Sequence, residues 1–270
     1  MAMVHDDGSL VAAEIYDIGE RLGFTVHQIR LVFARLVQEG LFDQEGRGRK
    51  AILRSTSRNE LLHGPEVEWL RLAFAQDAGR AEWDKQWHLV AFQLDETRRA
   101  ERTSLRDVLT EMAAAPLAGG LYVHALDWDD QVRSVAKELG IEANVTLATA
   151  TQLEVGGARK PKEIAERLWP LHDIAAAYRA FIDQFAPSVR QKSKHDATTE
   201  LAQVMTLVAA FEQCIRQDPL LPPQLLPKNW PGATARQVLR EGSNRLAIVR
   251  QQASVPLLFS RYDDLFDELG

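Results

Sequence analysis

The sequence contains a single cysteine and no long apolar run, and each scarcity excludes a class of protein. Cys214 has no second cysteine to pair with, which rules out an internal disulfide framework and fits a reducing cytosol. No apolar stretch approaches the length that spans a bilayer, and no signal peptide is recognisable at the start. We therefore expect a cytoplasmic protein with no membrane partner.

The residues of common catalytic and metal sites are also scarce or dispersed. The seven histidines are scattered, no group of His, Cys and Asp has metal-ligand spacing, and no glycine-rich phosphate loop is present. Cys214 lies in the apolar segment VAAFEQCIRQ, where a buried small side chain is a simpler interpretation than a nucleophile. The sequence predicts no catalytic residue, no metal ligand and no cofactor.

The charge balance is mildly acidic, with a formal net charge of −6 over 270 residues. That balance argues against a protein that coats nucleic acid broadly, but a site-specific binder can confine its positive charge to one face. Hydrophobic (46%) and charged (26%) contents are those of a globular chain, and the length suggests two or three domains.

The most informative local pattern begins at Thr25. This residue is a good helix N-cap, apolar residues then recur at helical spacing, and Gly40 is a typical helix end. An amphipathic segment from Val11 to Leu22 precedes it and ends at Gly23. Two helices joined at a glycine-containing turn make a helix-turn-helix.

A ribbon with a basic tip is predicted to follow the second helix. Leu41 to Gln44 and Arg49 to Arg54 are strand-like, and a turn joins them. From Gly46 to Arg58 the chain has five basic residues and no acidic one, which is a local phosphate-binding signal. A helix followed by such a ribbon is the shape of a recognition helix and its wing.

The helical spacing divides the second helix into a core face and an outer face. The core face is predicted to contain Ile29, Val32, Phe33 and Leu36. His27 and Gln28 lie in the first turn, the part that usually reaches base edges in the major groove. The predicted DNA-binding residues are Thr25, His27, Gln28, Arg30, Leu31, Arg35, Arg47, Arg49 and Lys50. The alternative is a solvated charged hairpin on a domain of another kind. Winged-helix shapes also serve as protein-binding modules, so the shape alone does not establish DNA binding.

The middle of the chain alternates strands and helices. Strands are predicted at 87–94, 121–126 and from Val145, with helices at 96–112 and 131–139 between them and a loop at Pro116 to Gly120. This order suggests a small α+β sandwich of ferredoxin-like type. Opposite charges three or four residues apart in the first of these helices are most simply a solvated face.

The rest of the chain is predicted to be helical, with an interruption rich in proline. Pro187 is expected to end one helix, and long helices are predicted from Ala197 and from Thr234. Five prolines between Asp218 and Gly232 forbid a regular helix there and suggest an extended segment packed by its leucines and Trp230. The predicted domains are a winged helix at 1–57, a helical connector at 58–85, a ferredoxin-like domain at 86–158 and an all-helical domain at 159–270.

Several of these segments resemble one family in the right order along the chain. VHQIRLVFARLVQEGLFDQEGRGRKAILRST, WDKQWHLVAFQLDETRRAERTSLRDVL and LHDIAAAYRAFIDQFAP each resemble parts of the PaaX-type transcriptional repressors. The proline segment, followed by ATARQVLRE, resembles their C-terminal domain. The resemblance implies a homodimeric repressor that binds double-stranded operator DNA and controls a catabolic operon of the phenylacetate type.

The resemblance also implies an effector, phenylacetyl-CoA or another acyl-CoA, that releases the repressor from DNA. We expect it to bind between the central and C-terminal domains, with Arg98, Arg99 and Arg102 as candidate phosphate contacts. The homodimer interface is expected either in the long helices from Ala197 and Thr234 or in the central domain.

The sequence departs from the family at its start, where most of an expected first helix is missing. We expect Met1 to Val4 to be the remnant of that helix, with Met1, Met3 and Val4 packed on Ile15, Ile18 and Phe33. The alternatives are that the true start lies upstream or that the wing domain is incomplete.

An enzyme and a purely protein-binding module are the two alternative classes. The central domain also resembles small ferredoxin-like CRISPR-associated nucleases, whose first strand ends in a metal-binding Asp. Gln93 stands at that position here, and Asp95 and Glu96 are more simply residues of a helix start.

Overall fold

The computed structural model describes residues 4–5, 7–57, 59, 66–191 and 197–253, which form a mixed α+β structure in two compact units. Unit 1 comprises the described residues of Met1–Arg71, Asp183–Phe211 and Arg236–Gly270. Unit 2 comprises those of Leu72–Ile182 and Glu212–Ala235. The division into four consecutive segments stays a prediction.

Unit 1 begins with a small sheet and two helices. These elements are β1 (Ser9–Val11), α1 (Ala12–Arg21), α2 (Val26–Gln38), β2 (Phe42–Glu45) and β3 (Ile52–Ser55). The strand order is β1-β3-β2, and both pairings are antiparallel. The short strand β1 was not predicted, because three residues are too few to show an alternating pattern.

The apolar interior of this region lies between the two helices and the sheet. Tyr16 of α1 and Phe33 of α2 meet edge to face, with ring centroids 5.7 Å apart. The cluster of buried side chains consists of Val4, Leu10, Ala12, Tyr16, Ile29, Phe33, Phe42, Ala51 and Leu53. Ile15, Leu36 and Leu41 pack against it from partly buried positions.

One residue assigned to the core of α2 is on the surface. Val32 is 55% exposed, so its prediction as a core residue was wrong. Ile29 and Phe33 already fill the inner face, and a residue directly before Phe33 is turned about 100° away from it on an ideal helix.

The predicted packing of the first residues can be compared at one position. Val4 is buried and belongs to the same cluster as Ile15 and Phe33, but the cluster does not include Ile18, and Val4 is not in a helix. Met1 and Met3, the other residues of the expected helix remnant, lie outside the described residues.

A glycine allows α1 and α2 to approach closely. A Cβ atom at Gly19 would lie 2.6 Å from Cδ1 of Ile29, so a larger residue would require the Ile29 side chain to shift. Gly23, in the turn between them, has a φ of 84°, a conformation that favours glycine. Gly19 thus leaves room for Ile29 between the helices, and Gly23 allows the turn that joins them.

Unit 2 contains a four-stranded antiparallel sheet with two helices in its connections. Its elements in order are β4 (Trp87–Phe92), α4 (Arg99–Glu111), β5 (Ala115–Ala118), β6 (Leu121–His124), α5 (Asp129–Glu138) and β7 (Val145–Ala150). The strand order β5-β6-β4-β7 with this connectivity is that of a ferredoxin-like sandwich. The helix α3 (Glu66–Asp77) precedes the sheet and crosses the limit between the two units.

The predicted loop from Pro116 to Gly120 was wrong. Residues Ala115–Ala118 form β5, which pairs with β6 through a short turn at 119–120. The strand is at the edge of the sheet, where a proline that lacks a backbone N–H is tolerated. The proline and glycines that suggested a loop are therefore features of an edge strand and its turn.

Four further helices complete the described chain: α6 (Pro161–Leu168), α7 (Leu171–Arg190), α8 (Ala197–Ile215) and α9 (Gly232–Ala253). Pro187 does not end its helix as predicted, since α7 continues to Arg190. It stands in the last turn, where few residues follow the backbone bond that proline removes. No helix in the described part of the chain is both long and apolar enough to cross a membrane.

The segment between α8 and α9 has no regular helix, as its prolines predict. Leu220, Leu221, Leu225 and Leu226 are buried. Asp218 fixes its start, because one carboxylate oxygen accepts from the Tyr178 hydroxyl at 2.8 Å and the other from a backbone N–H. The packing by leucines is confirmed, and the partly buried Trp230 meets Tyr178 with ring centroids 6.2 Å apart, but the segment contains turns at 223–225 and 228–229 instead of the extended run that was predicted.

Candidate nucleic-acid interface

The start of α2 is held by a reciprocal pair of hydrogen bonds. The backbone N–H of Gln28 donates to Oγ1 of Thr25 at 3.2 Å, and Oε1 of Gln28 accepts from the backbone N–H of Thr25 at 2.8 Å. This capping box satisfies two N–H groups that have no partner inside the helix. The side-chain carbonyl of Gln28 is therefore engaged in the cap, whereas its amide nitrogen takes no part in these bonds.

The outer face of α2 is open to solvent. Ile29 and Phe33 anchor the helix on its inner side, while Leu31 is 56% exposed. All the residues predicted to bind DNA from this region are exposed: Thr25, His27, Gln28, Arg30, Leu31, Arg35, Arg47, Arg49 and Lys50. The fold thus leaves His27, Gln28, Arg30 and Leu31 open to solvent, while Ile29 between them faces the core.

Two glycines shape the tip of the β2–β3 hairpin. Gly46 and Gly48 have φ angles of 79° and 60°, which L side chains rarely adopt. A short 3₁₀ turn at Gly48–Lys50 follows, and β3 therefore begins at Ile52 rather than at Arg49 as predicted. This turn contains Arg49 and Lys50, and Arg47 directly precedes it, so three basic residues lie at the exposed end of the hairpin.

Arg49 differs from its neighbours because it is bound to α1. Its guanidinium donates to Asp17 and, at 2.7 Å, to Glu20, and lies over the ring of Tyr16 at 5.5 Å. The hydrogen bond that Arg49 donates to Asp17, followed by the one that it donates to Glu20, raises the pKa of Arg49 above its ordinary value. Arg49 fastens the hairpin tip to α1, which sequence spacing did not reveal.

Other cations of this surface are divided between paired and unpaired groups. Arg35 contacts Glu39 at 2.7 Å, and Arg54 contacts Glu45 at 3.0 Å. Among the described residues, Arg30, Arg47 and Lys50 form no ion pair. Arg58, which was counted in the basic stretch, lies outside the described residues.

The three arginines proposed as effector contacts have different surroundings. Arg98 donates to the carbonyls of Leu139 and Gly140 at 3.0 and 2.9 Å, at the C-terminal end of α5. Arg102 donates to Glu96 at 2.8 Å. The Arg99 side chain is 77% exposed and its closest acidic atom, on Glu96, is 3.9 Å away.

A group of titratable residues in unit 2 was missed by sequence reasoning. His88, at the start of β4, lies within 4 Å of Asp84, Asp127 and Asp129. Because the group joins residues distant in sequence, local spacing could not indicate it. On the neighbouring strand, His124 is fully buried, and burial, reinforced by His88, lowers its pKa to about 3.

The position that corresponds to the nuclease Asp lies at the other end of β4. The backbone N–H of Gln93 donates to the carbonyl of Asn144 at 3.2 Å, and the Asn144 side chain donates back to the Gln93 carbonyl. Glu96, the nearby acid, forms ion pairs with arginines of α4. Gln93 therefore links the ends of β4 and β7, Glu96 supports the start of α4, and among the described residues neither belongs to a possible group of metal ligands.

Two regions of the chain match models of two domains of the same protein family. Residues 80–165 match the family model of the PaaX protein central Cas2-like domain, and residues 169–253 match that of the PaaX-like protein C-terminal domain. The chain is 27% identical over 246 residues to the transcriptional repressor PaaX of Escherichia coli (strain K12), covering 88% of this chain and 74% of that protein.

A solved structure shares the fold. The uncharacterized protein Rv0674 from Mycobacterium tuberculosis superposes with a TM-score of 0.50 at 21% sequence identity. The alignment covers 89% of this chain and 90% of the other.

Together, the α+β architecture and the two matched domains define a transcriptional regulator rather than an enzyme. The chain belongs to the PaaX-type family.

Proposed function

We propose that this chain is a DNA-binding repressor in which residues 9–55 form a winged helix-turn-helix. The observation that carries the proposal is the arrangement of α2, whose inner face is anchored by Ile29 and Phe33 while its first turn and outer face are exposed. A recognition helix needs both properties, because it must be rigid and its first residues must enter the major groove. The E. coli relative is named as a transcriptional repressor, which supports the same function.

We assign different DNA contacts to the helix α2 and to the wing, which is the hairpin of residues 42–55. His27, Gln28 and Leu31 are placed to contact base edges, and an exposed apolar side chain such as Leu31 suits a thymine methyl group. Arg47 and Lys50 at the wing tip are placed to contact phosphates, which position a protein without reading sequence.

The test is binding to a labelled fragment of the protein's own promoter, compared with random DNA of equal length. Gln28→Glu keeps a side-chain acceptor at the third helical position and preserves the cap, yet removes the amide donor from the groove. Gln28→Ala removes both. If Gln28 reads a base, both variants lose discrimination between the two DNAs by roughly 1–3 kcal/mol.

A second outcome separates capping from reading. If Gln28→Glu discriminates as well as the original chain while Gln28→Ala does not, Gln28 has a structural role in the cap and the base-reading assignment moves to His27 and Leu31. Absence of any preference for promoter DNA by the unmodified chain would contradict the repressor function.

We further propose that the operon belongs to aromatic-acid catabolism of the phenylacetate type and that an acyl-CoA releases the repressor. Moving a population from mostly bound to mostly free takes about 5 kcal/mol of differential affinity. A small free acid has few atoms with which to supply that difference. Its CoA thioester adds phosphates for arginines and an adenine for stacking.

Arg99 is the leading phosphate contact among the three proposed arginines. Its exposed guanidinium is available to a ligand, whereas Arg98 holds the end of α5 and Arg102 is bonded to Glu96. Operator release is titrated with phenylacetyl-CoA, other acyl-CoAs, free CoA and the free acids. Release by a free acid at concentrations where no thioester acts would refute the thioester proposal.

The arginine assignment has its own matched pair of variants. Arg99→Ala is expected to raise the concentration of thioester needed for release, and Arg133→Ala, another exposed arginine of unit 2, is expected to leave it unchanged. Equal effects of the two substitutions would remove Arg99 from the effector site. The proposal also includes a homodimer and a cytoplasmic location, where operator DNA is found.

A further inference from the structure

The buried imidazole of His88 has one nitrogen that forms no hydrogen bond. The side chain is only 4% exposed, and Nδ1 has no hydrogen-bond partner among the described residues. A buried polar nitrogen left without a partner is costly, so its surroundings call for an explanation.

Two carboxylates face this nitrogen. Oδ1 of Asp127 is 3.7 Å from Nδ1 and Oδ1 of Asp129 is 3.8 Å from it. Both distances exceed those of N–H···O hydrogen bonds, so a proton on Nδ1 would satisfy neither carboxylate at this geometry. Oδ1 of Asp129 is itself buried and lacks a hydrogen-bond partner among the described residues.

The other nitrogen of the ring is occupied. Nε2 of His88 lies 3.1 Å from Oδ2 of Asp84, a distance at which an Nε2–H group donates to the carboxylate. This bond favours the tautomer whose Nδ1 lone pair points toward Asp127 and Asp129. Histidines that bind metals commonly donate their second N–H to a carboxylate, which fixes the tautomer and the ring orientation.

Nδ1 of His88, Oδ1 of Asp127 and Oδ1 of Asp129 have the spacing of a coordination site. They all lie within 4.8 Å of one another, so a single ion between them could contact all three. The Asp127 side chain is 71% exposed, so an ion can enter and water can complete its coordination.

The local charge also favours a cation. Asp84, Asp127 and Asp129 surround one imidazole, and the contact of Arg133 with Asp129, at 3.6 Å, is to Oδ2, the oxygen that does not face His88. Acidic residues in the first turn of α5 would be favourable for the helix alone, so Asp129 by itself indicates nothing. The buried and unpartnered Nδ1 of His88 is the independent observation.

We propose that His88, Asp127 and Asp129 bind a divalent transition-metal ion, with Asp84 as the residue that positions the His88 ring. A set of one imidazole and two carboxylates suits Zn²⁺ or Mn²⁺, whereas Mg²⁺ and Ca²⁺ prefer oxygen ligands throughout. The ion joins the start of β4 to the connection between β6 and α5. It lies at the opposite end of β4 from Gln93 and is therefore not the nuclease position.

Isothermal titration of the full-length, tag-free chain with ZnCl₂ and with MnCl₂, after removal of bound ions by a chelating resin, tests the site. One ion per chain is expected for at least one of the two metals. Asp127→Asn keeps an oxygen that can accept the backbone N–H of Asp129, now at 3.1 Å, but removes the charge, and should weaken binding at least about tenfold. Asp84→Asn should weaken it by about 10- to 100-fold through the ring orientation.

Asp130→Asn is the matched control. Asp130 is on the same turn of α5 and its side chain is 98% exposed, but it does not face His88. Its substitution should leave the affinity within about twofold of the original, as expected for a surface change. Thermal melting of each chain without metal verifies that the variants fold.

Tryptophan fluorescence gives a second measurement, since Trp87 adjoins His88 and Trp128 stands between Asp127 and Asp129. A saturable change on adding Zn²⁺ that is lost in Asp127→Asn supports the site. No saturable binding of either ion, or equal binding by the original chain and Asp127→Asn, overturns it.

Discussion

At the scale of single residues, the structure gives different partners to side chains that look equivalent in the sequence. Arg47 and Arg49 are two positions apart in the same basic stretch, and both were predicted to contact DNA. Arg49 is bonded to Asp17 and Glu20 of α1, whereas Arg47 forms no ion pair among the described residues. Sequence spacing could place both at a hairpin tip, but the partners of Arg49 come from a different element.

The first prediction follows from this difference. Arg47→Ala should weaken binding to promoter and random DNA equally and lower the slope of log K against log salt by about one. Arg49→Ala should in addition change the position of the wing, because it loses its contacts with α1. Binding at several salt concentrations, together with thermal melting, measures both effects. Identical salt slopes and identical melting of the two variants would contradict the distinction.

The second prediction concerns Cys214, whose burial is confirmed: its side chain is in the core and its Sγ lies 3.7 Å from the Ala177 carbonyl. Burial raises the pKa of this thiol, so its reaction with a disulfide reagent at pH 8 should be at least about tenfold slower in the folded chain than in urea.

The same shift has a consequence for stability. A folded-state pKa above the unfolded value gives stability that is complete below about pH 8.5 and is lost as pH rises through the folded pKa. The free energy of unfolding in urea is measured from below about pH 8.5 to above it for the original chain and for Cys214→Ser, which lacks the thiol and is the control. Fast labelling of the folded chain at pH 8 would contradict burial of the thiol.

At the scale of elements, the long periodic helices were predictable, whereas two of the short strands were not. The helices α2, α8 and α9 show long apolar patterns, and the sequence placed them within a few residues of their observed limits. The strand β1 has three residues, too few for a pattern, and β5 contains a proline and precedes two glycines, which are typical of a loop; both strands are specified by their pairing partners. The His88 group could not be predicted either, because the sheet brings its members together.

The third prediction tests the turn between β5 and β6. Gly120 has a φ of 79°, and a Cβ atom there would lie 2.5 Å from the Phe92 carbonyl oxygen. Gly120→Ala should therefore destabilise unit 2 by about 1–3 kcal/mol. Gly119 has open space around its Cα, so Gly119→Ala should change stability by less than about 1 kcal/mol.

Tryptophan fluorescence during urea unfolding measures this difference, because five of the six tryptophans lie in the sequence ranges of unit 2. Equal stabilities of the Gly119 and Gly120 variants would show that the turn does not constrain the sheet.

At the scale of the whole molecule, the proposed function requires more than one DNA-binding region. A single winged helix offers a small contact area, and two-fold operators read by dimers are the usual solution. The fourth prediction is a homodimer of about 61 kDa, twice the 30.3 kDa chain, at micromolar concentration. Light scattering over a concentration series checks it, and a constant mass of one chain would contradict it.

The two units are each made from separate stretches of the chain, and this has a consequence for protein synthesis. On the ribosome, residues 4–53 and the sheet of residues 87–150 emerge early. Unit 1, however, also includes described residues after position 182, and unit 2 also includes residues after position 211. Neither unit can be completed until the last third of the nascent chain has left the exit tunnel. A premature stop codon near position 210 would therefore leave both units unfinished, and the truncated product should be degraded rather than act as a smaller repressor.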